Sequence, residues 1–291
     1  MDPSSRLGSG WYLAGLVGGE EPLNWRLLSW NLFHGRDFPP EPISGGAGWR
    51  ILGRPVAGKD YVLLNRDLFL EFAALLSAAR WDVALLQEVP PRWGERLAEA
   101  TGSEFRISLT ARNWMRPVTW APARSRPHLP GSWEGGSNLI LVRKGRPGTE
   151  IVDHRKAVLA RRPERRVMSF VTTGGGLCVA NLHASTGERS GDDVLKAARL
   201  AVEWAADRPL VLGGDFNLRP RSSAVFSQLS GEFGFSDPTG SDAIDHLLVR
   251  GANLLEPIAS WSPERRDVPD QKTGLKVRLS DHSPVCCRIS A

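Results

Sequence analysis

The residues that could do chemistry sit at the ends of apolar runs. The most compact such segment is Leu212–Pro220, LGGDFNLRP, where the run Pro209–Leu212 meets two glycines and then Asp215, Phe216 and Asn217. Alternate residues of a strand point the same way, so Asp215 and Asn217 project together beyond the sheet edge while Phe216 turns back into the core. Asp and Asn after Gly-Gly are also ordinary turn formers, and taken alone the nonapeptide reads as a turn. The rest of the chain changes that. Asn31 lies near the end of WRLLSWNLF, Gln87 and Glu88 close the run from Val83 to Leu86, and His183 ends the arm LCVANLH. Asp245 stands at the start of DHLLV, and Asp281-His282 precede the last run, Ser283–Ile289. One such placement is more simply a cap or a satisfied core residue. Their recurrence puts a set of polar groups on one rim of a layered α/β architecture.

That set suits metal-assisted phosphoester hydrolysis. Mg²⁺ takes hard oxygen ligands and keeps waters and substrate phosphate oxygens in its shell, so one or two carboxylates suffice. Glu88 supplies one, with Asn31 and Asp281 as helpers, and Mn²⁺ is a workable substitute. The chain has no HxxxH, CxxC or Cys/His cluster of the kind zinc wants, and no GxxxxGK[ST] loop. Asp215 can orient and deprotonate a water held in line with the scissile bond. Asn217 can hold that water or a phosphate oxygen. His183 and His282 can donate to phosphoryl oxygens as negative charge builds, and Asp245 would orient His282 and raise its pKa.

The elements that must position these groups follow from periodicity. Trp25–Phe33 reads as a buried first strand, and Arg36–Asn65, rich in Gly and Pro, as a long irregular stretch. Leu68, Phe72, Leu75, Leu76 and Ala79 make one helical stripe over Arg66–Arg80. A short helix runs through Ala100, and Arg106–Thr110 and Ser137–Arg143 read as strands. Val167–Thr173 and Leu177–His183 form a hairpin whose turn, Gly174–Gly176, uses positive φ. Asp192-Asp193 opens a helix continuing to Ala205, and strands follow at Pro209–Gly213, Ile244–Val249 and Ser283–Ile289. Residues 1–24 read as a flexible lead-in without signal-peptide character, and 25–291 as a single domain.

The 291 residues are 41% apolar, which supplies a sizeable core and excludes global disorder. No segment reaches transmembrane length. Cys178 and the adjacent pair Cys286-Cys287 make an odd set in apolar surroundings, which predicts reduced thiols and a cytoplasmic protein with neither membrane insertion nor an obligate protein partner. A net charge of +5 leans towards an anionic partner. Arg112, Arg116, Arg124 and Arg126 interleave with Trp114, Trp120 and Trp133, a mixture that suits phosphate contact and base stacking as well as it suits a solvated basic face over core tryptophans. Arg112, Asn113 and Asn138 are the expected substrate contacts.

WNLFHG, LLQEV, ANLHAS, GGDFNLRP, AIDHLLV and LSDHSPV, in that order, resemble the endonuclease/exonuclease/phosphatase family of deoxyribonuclease-I-like phosphodiesterases. The resemblance spans Trp25 to Ile289, and the GDFN and SDH motifs are its most specific parts. It implies an α/β fold, a four-layered sandwich of two mostly antiparallel β-sheets packed face to face with helices outside. It also implies Glu88 as the principal metal-binding glutamate with Asn31 near the metal, and His183 as a phosphate-binding histidine. Asp215 and Asn217 correspond to the catalytic pair, Asp245 and His282 to an Asp–His pair, and Asp281 to the adjacent acid. The YYPNG-like and WDYR-like segments of the abasic-site endonuclease branch are absent. The expectation is a Mg²⁺-dependent nuclease acting on DNA. The alternatives are a phosphatase or phospholipid phosphodiesterase and, in another class, a non-catalytic polyanion-binding module.

Overall fold

In the computed structural model, which describes residues 22–43, 54–110 and 135–291, the first strand, β1 (Asn24–Asn31), buries both of its faces. Trp25 and Leu27 point one way and Leu28 and Trp30 the other. A strand hydrophobic on both faces needs a layer on each side, and the remaining elements supply them. In chain order these are β2 (Val56–Ala57), β3 (Val62–Leu63), α1 (Phe69–Ala78), β4 (Val83–Gln87), α2 (Gly94–Thr101), β5 (Ser103–Leu109), β6 (Ser137–Arg143), β7 (Ile151–Ala160), β8 (Arg166–Thr173) and β9 (Cys178–His183). There follow α3 (Arg189–Ala205), β10 (Leu210–Asp215), α4 (Val225–Gly231), β11 (Asp245–Arg250), β12 (Asn253–Ser260), β13 (Asp267–Pro269), β14 (Lys276–Arg278) and β15 (Val285–Ser290).

One sheet has six strands in the order β12-β15-β1-β4-β6-β5, and the other five in the order β11-β10-β9-β8-β7. Trp25, Leu27, Val83, Leu85, Ile140, Val179, Val211 and Leu247 fill the space between them. Leu28 and Trp30 meet Phe72, Leu76 and Leu97 of α1 and α2 on the outer face of the first sheet. Phe170, Leu182 and Leu212 meet Val194 and Ala198 of α3 and Phe226 of α4 on the outer face of the second. The result is the expected four-layered sandwich, helix on sheet on sheet on helix.

The topology explains the shared rim. β1 runs parallel to β4, and β9 parallel to β10, so Asn31, Gln87, His183 and Asp215 end their strands on the same side. Every other pairing within the two sheets is antiparallel, which brings the start of β11 there too, with Asp245 opposite Asp215. Just below the rim, Gln87 Nε2 donates to Asn181 Oδ1 across the seam at 2.8 Å. Asn181 Nδ2 donates in turn to the Leu86 and Leu139 carbonyls, both at 3.0 Å.

Several expectations needed correction. The helix predicted over Arg66–Arg80 forms only from Phe69 to Ala78. In the hairpin turn Gly176 alone takes positive φ (82°), whereas Gly175 is small because a Cβ there would meet Leu23 and Trp25 side chains. Strand pairing begins at Asn24, inside the expected lead-in. The irregular stretch contains the β2–β3 ladder. Strands β7 and β12 and helix α4 were not expected. β7 and β12 are sheet edges, β7 half-buried and β12 largely exposed, and the charged run DHRK in β7 and Pro257 in β12 mask any strand signature. Among the described residues no helix is long and apolar enough to cross a membrane, and all three cysteines are free.

Gly214 on β10 has φ +139°, and a Cβ there would collide with the Leu182 carbonyl of β9. Gly214→Ala is therefore expected to lower stability in urea unfolding by at least about 2 kcal/mol. Gly213→Ala meets the movable methyls of Leu85 and Leu247, and its loss should be smaller.

Candidate active site

The rim gathers its polar groups around Asp215, which is 2% exposed. Asn31 Nδ2 donates to Asp215 Oδ2 at 3.0 Å, and the Asn217 backbone N–H donates to Oδ1 at 3.0 Å. The Asn31 Oδ1 accepts from the Phe33 N–H at 3.0 Å, which fixes the amide orientation. The Asn217 side-chain Nδ2 donates to the Ala184 carbonyl at 3.1 Å, which leaves Oδ1 as an acceptor for a water.

Two histidines flank Asp215 and differ in charge. His282 Nε2 lies 3.9 Å from Asp215 Oδ2, and its Nδ1 is hydrogen-bonded to Asp245 Oδ2 at 2.7 Å. Burial opposes the charge on this ring, but the Asp245 carboxylate outweighs it and pushes the pKa up to about 10. His183 Nε2 lies 3.5 Å from Asp215 Oδ2 and 3.8 Å from Glu88 Oε1. Burial and the nearby Arg166 guanidinium push it down to about 3, so it is neutral. An arginine can only donate. Arg166 Nη1 lies 3.1 Å from His183 Nδ1 and 3.3 Å from Nε2, so the neutral ring is the acceptor of this pair, and Nε2 is the nitrogen beside Asp215 and Glu88.

Glu88 is the carboxylate of the opposite wall, with its Oε2 2.9 Å from His34 Nε2. Burial raises its pKa, but the His34, His183 and His282 rings together hold it well below the usual range. Burial and the charge of Asp245 push Asp215 up to about 7. Burial likewise raises Asp281, whose Oδ1 sits 3.8 Å from His282 Nε2. Carboxylates crowded this closely repel one another, and a divalent cation would relieve that repulsion. Glu88, the second lone pair of Asn31 Oδ1 and Asp281 offer the hard oxygens such an ion prefers. Asp215, Asp245 and His282 also present ligand atoms within 4.8 Å of one another, but His282 Nδ1 and Asp245 are already engaged with each other.

The backbone at the rim is unusual. His34 (φ 52°), Glu88 (φ 49°), Asn217 (φ 51°) and Ser280 (φ 61°) all lie in the left-handed region, a conformation that costs non-glycine residues energy and clusters at functional sites.

Asn31, Glu88, His183, Asp215, Asn217, Asp245, Asp281 and His282 are thus brought to one rim. Asn138 is not at a substrate face: it is fully buried, because its position on β6 points between the sheets, and its Nδ2 donates to the Val167 carbonyl at 2.8 Å. Arg112 and Asn113 lie outside the described residues. Sequence reasoning missed three contributors. His34 grips Glu88. Arg166 touches His183, a contact the β8–β9 register does not signal, since that register sets position 166 opposite Ala184. Ser280 Oγ donates to the Asn31 carbonyl at 2.7 Å and accepts from the His282 N–H at 3.1 Å, tying the two motifs together. Part of the basic cluster is structural: Arg143 stacks over Trp81 at 4.3 Å, and Arg146 pairs with Asp82 at 2.8 Å.

A model of the endonuclease/exonuclease/phosphatase family matches residues 28–282. The chain belongs to that family. Three solved structures share its fold at low identity. An endonuclease/exonuclease/phosphatase family protein from Bacteroides thetaiotaomicron has a TM-score of 0.59 at 16% identity, covering 92% of this chain and 95% of that one. The mannosyl-6-phosphatase of the same organism gives 0.58 at 14% identity, covering 92% and 100%. TDP2 from C. elegans gives 0.56 at 15%, covering 94% and 78%. No curated protein sequence matches the chain. Membership of the endonuclease/exonuclease/phosphatase family supports phosphoester hydrolysis, and the carboxylate cluster is suited to the divalent cation that the family generally needs.

The Asp245–His282 pair yields a prediction with a definite sign. The folded pKa of His282, about 10, lies above its ordinary value of 6.5. Its contribution to stability is therefore complete below about pH 6.5 and is lost as the pH rises through about 10. Urea unfolding in EDTA should show that decline, and Asp245→Asn should remove the His282 share of it. Imidazole NMR of the variant should place the His282 titration several pH units lower.

Proposed function

We propose that this chain is a Mg²⁺-dependent phosphodiesterase acting on nucleic acid, with DNA as its substrate, residues 25–291 as one catalytic domain and no protein partner required. The observation that carries the reading is the arrangement around Asp215. A carboxyl group pushed to about 7 lies between two donors that fix its plane, beside a protonated His282 and a neutral His183. A base that titrates near neutrality is matched to deprotonating water at physiological pH.

In this reading Glu88, helped by Asn31 and Asp281, holds the cation, and Mn²⁺ can replace Mg²⁺. Bound Mg²⁺ would neutralise phosphate charge and polarise the phosphoryl group. Asp215 takes a proton from the attacking water, whose oxygen bonds to phosphorus as the bond to the leaving oxygen breaks. The His282 imidazolium and the His183 ring N–H donate to the phosphoryl oxygens where charge accumulates, already aimed by Asp245 and Arg166. Asn217 Oδ1 orients the water. A phosphatase or phospholipid phosphodiesterase is the second reading, favoured by the fold shared with a mannosyl-6-phosphatase.

Plasmid DNA incubated with protein and Mg²⁺ should be cut, and EDTA should stop the cutting. Asp215→Asn should lower the rate by about 10³-fold with DNA binding retained. Equal nicking by the variant would remove Asp215 from the role of base. Hydrolysis of a sugar phosphate, phosphoinositide or sphingomyelin with no cutting of nucleic acid would transfer the assignment to the second reading.

A further inference from the structure

A cavity of about 680 Å³ opens beside His183. Its wall includes Arg162, Arg166, Arg189, Ser185 and Thr186. Arg166 joins it to the centre, since the Arg166 guanidinium stands 3.1 Å from His183 Nδ1. Ser185 follows His183 by two residues, and its backbone N–H is held by Asp193 Oδ2 at 2.9 Å. The cavity is therefore a sideways extension of the site along the strand ends of β8 and β9.

We propose that this cavity holds a second phosphate of the substrate, the one adjoining the scissile phosphate on a nucleic-acid strand. The inference rests on the phosphodiesterase reading and narrows its substrate class. Apart from Pro163, every lining residue is charged or carries a hydroxyl, so the cavity does not suit an acyl chain. Glu164 and Glu188 belong to the same wall, Glu164 lying 3.2 Å from Arg166 Nη2, and the lining keeps an excess of one positive charge. The Arg166 Nε–H is buried with no partner. The Arg189 guanidinium is anchored in advance, its Nη1 donating to the Arg162 carbonyl at 2.6 Å. Guanidinium forks match phosphate oxygens in geometry, and fixing them beforehand lowers the ordering cost of binding. A substrate with a single phosphate cannot use both positions.

The dinucleotides TpT, pTpT and TpTp separate the two positions, because each contains one phosphodiester and only the latter two a second phosphate. Displacement of a fluorescent oligonucleotide, measured in EDTA so that nothing is cleaved, gives their relative affinities. One of the end-phosphorylated forms should bind about tenfold more tightly than TpT. That ratio should fall to about one in the Arg162→Gln/Arg189→Gln double variant, both positions being exposed, and persist in Arg155→Gln on the outer strand β7. Equal binding of all three dinucleotides, or a preference unchanged in the double variant, overturns the proposal. Stronger displacement by an inositol bisphosphate than by either phosphorylated dinucleotide overturns the nucleic-acid assignment in favour of a polyphosphorylated small alcohol. If no dinucleotide is hydrolysed with Mg²⁺ but the arginine-dependent preference holds, the second-phosphate site stands and the nuclease reading falls.

Discussion

The site exists because two sheets approach closely enough for Asn31 to reach Asp215. Their 3.0 Å hydrogen bond joins the end of β1 in one sheet to the end of β10 in the other, and both partners are buried. A buried carboxylate without its donor would bear a desolvation cost that no surface residue faces. The narrow seam beneath it sustains the contact. Gln87 and Asn181 bridge the sheets one layer down, and below them a Leu85 methyl occupies space that only a glycine at position 213 leaves open. Half of the polar set belongs to each sheet, so the separation of the sheets sets the spacing of the chemistry.

Charge then divides the labour. Four acidic groups, Glu88, Asp215, Asp245 and Asp281, share a rim with three imidazoles. The carboxylates have different partners and so different tendencies. Glu88, surrounded by imidazoles, stays ionised; Asp215, facing Asp245 in a dry setting, holds a proton near neutrality. The histidines separate in the same way. A carboxylate at 2.7 Å keeps His282 charged, whereas burial, together with an arginine at 3.1 Å, keeps His183 neutral. Pairs of like groups whose environments push their pKa values apart are how one site holds an acid and a base at the same pH.

The sequence made the polar residues of the rim legible because each closes or opens a strongly apolar strand, and the order of those strands made the layered fold legible too. It was less informative where tertiary context overrides local pattern. β7 and β12 are edge strands whose solvent-facing charges and proline erase alternation. Asn138 looked available for substrate because it starts a strand near the rim, yet which side it faces depends on pairing with β4 and β5. His34 and Ser280 act through left-handed backbone and cross-chain hydrogen bonds, and neither signal is visible in residue type. Arg166 is one arginine among many in the sequence, and only the folded path of its side chain brings it to His183.

The placement of β15 bears on how the protein is made. Residues 285–290 pair with residues 24–29 well inside the six-stranded sheet, and β12 has β15 as its sole partner there. Contacts this distant in sequence form slowly, because a long loop must close first. β9, β10 and α3 are close in sequence and can associate early, whereas β1 keeps one hydrogen-bonding edge open until β15 pairs with it. His282 arrives just ahead of that strand. Pairing of β15 and completion of the polar rim are therefore nearly one event.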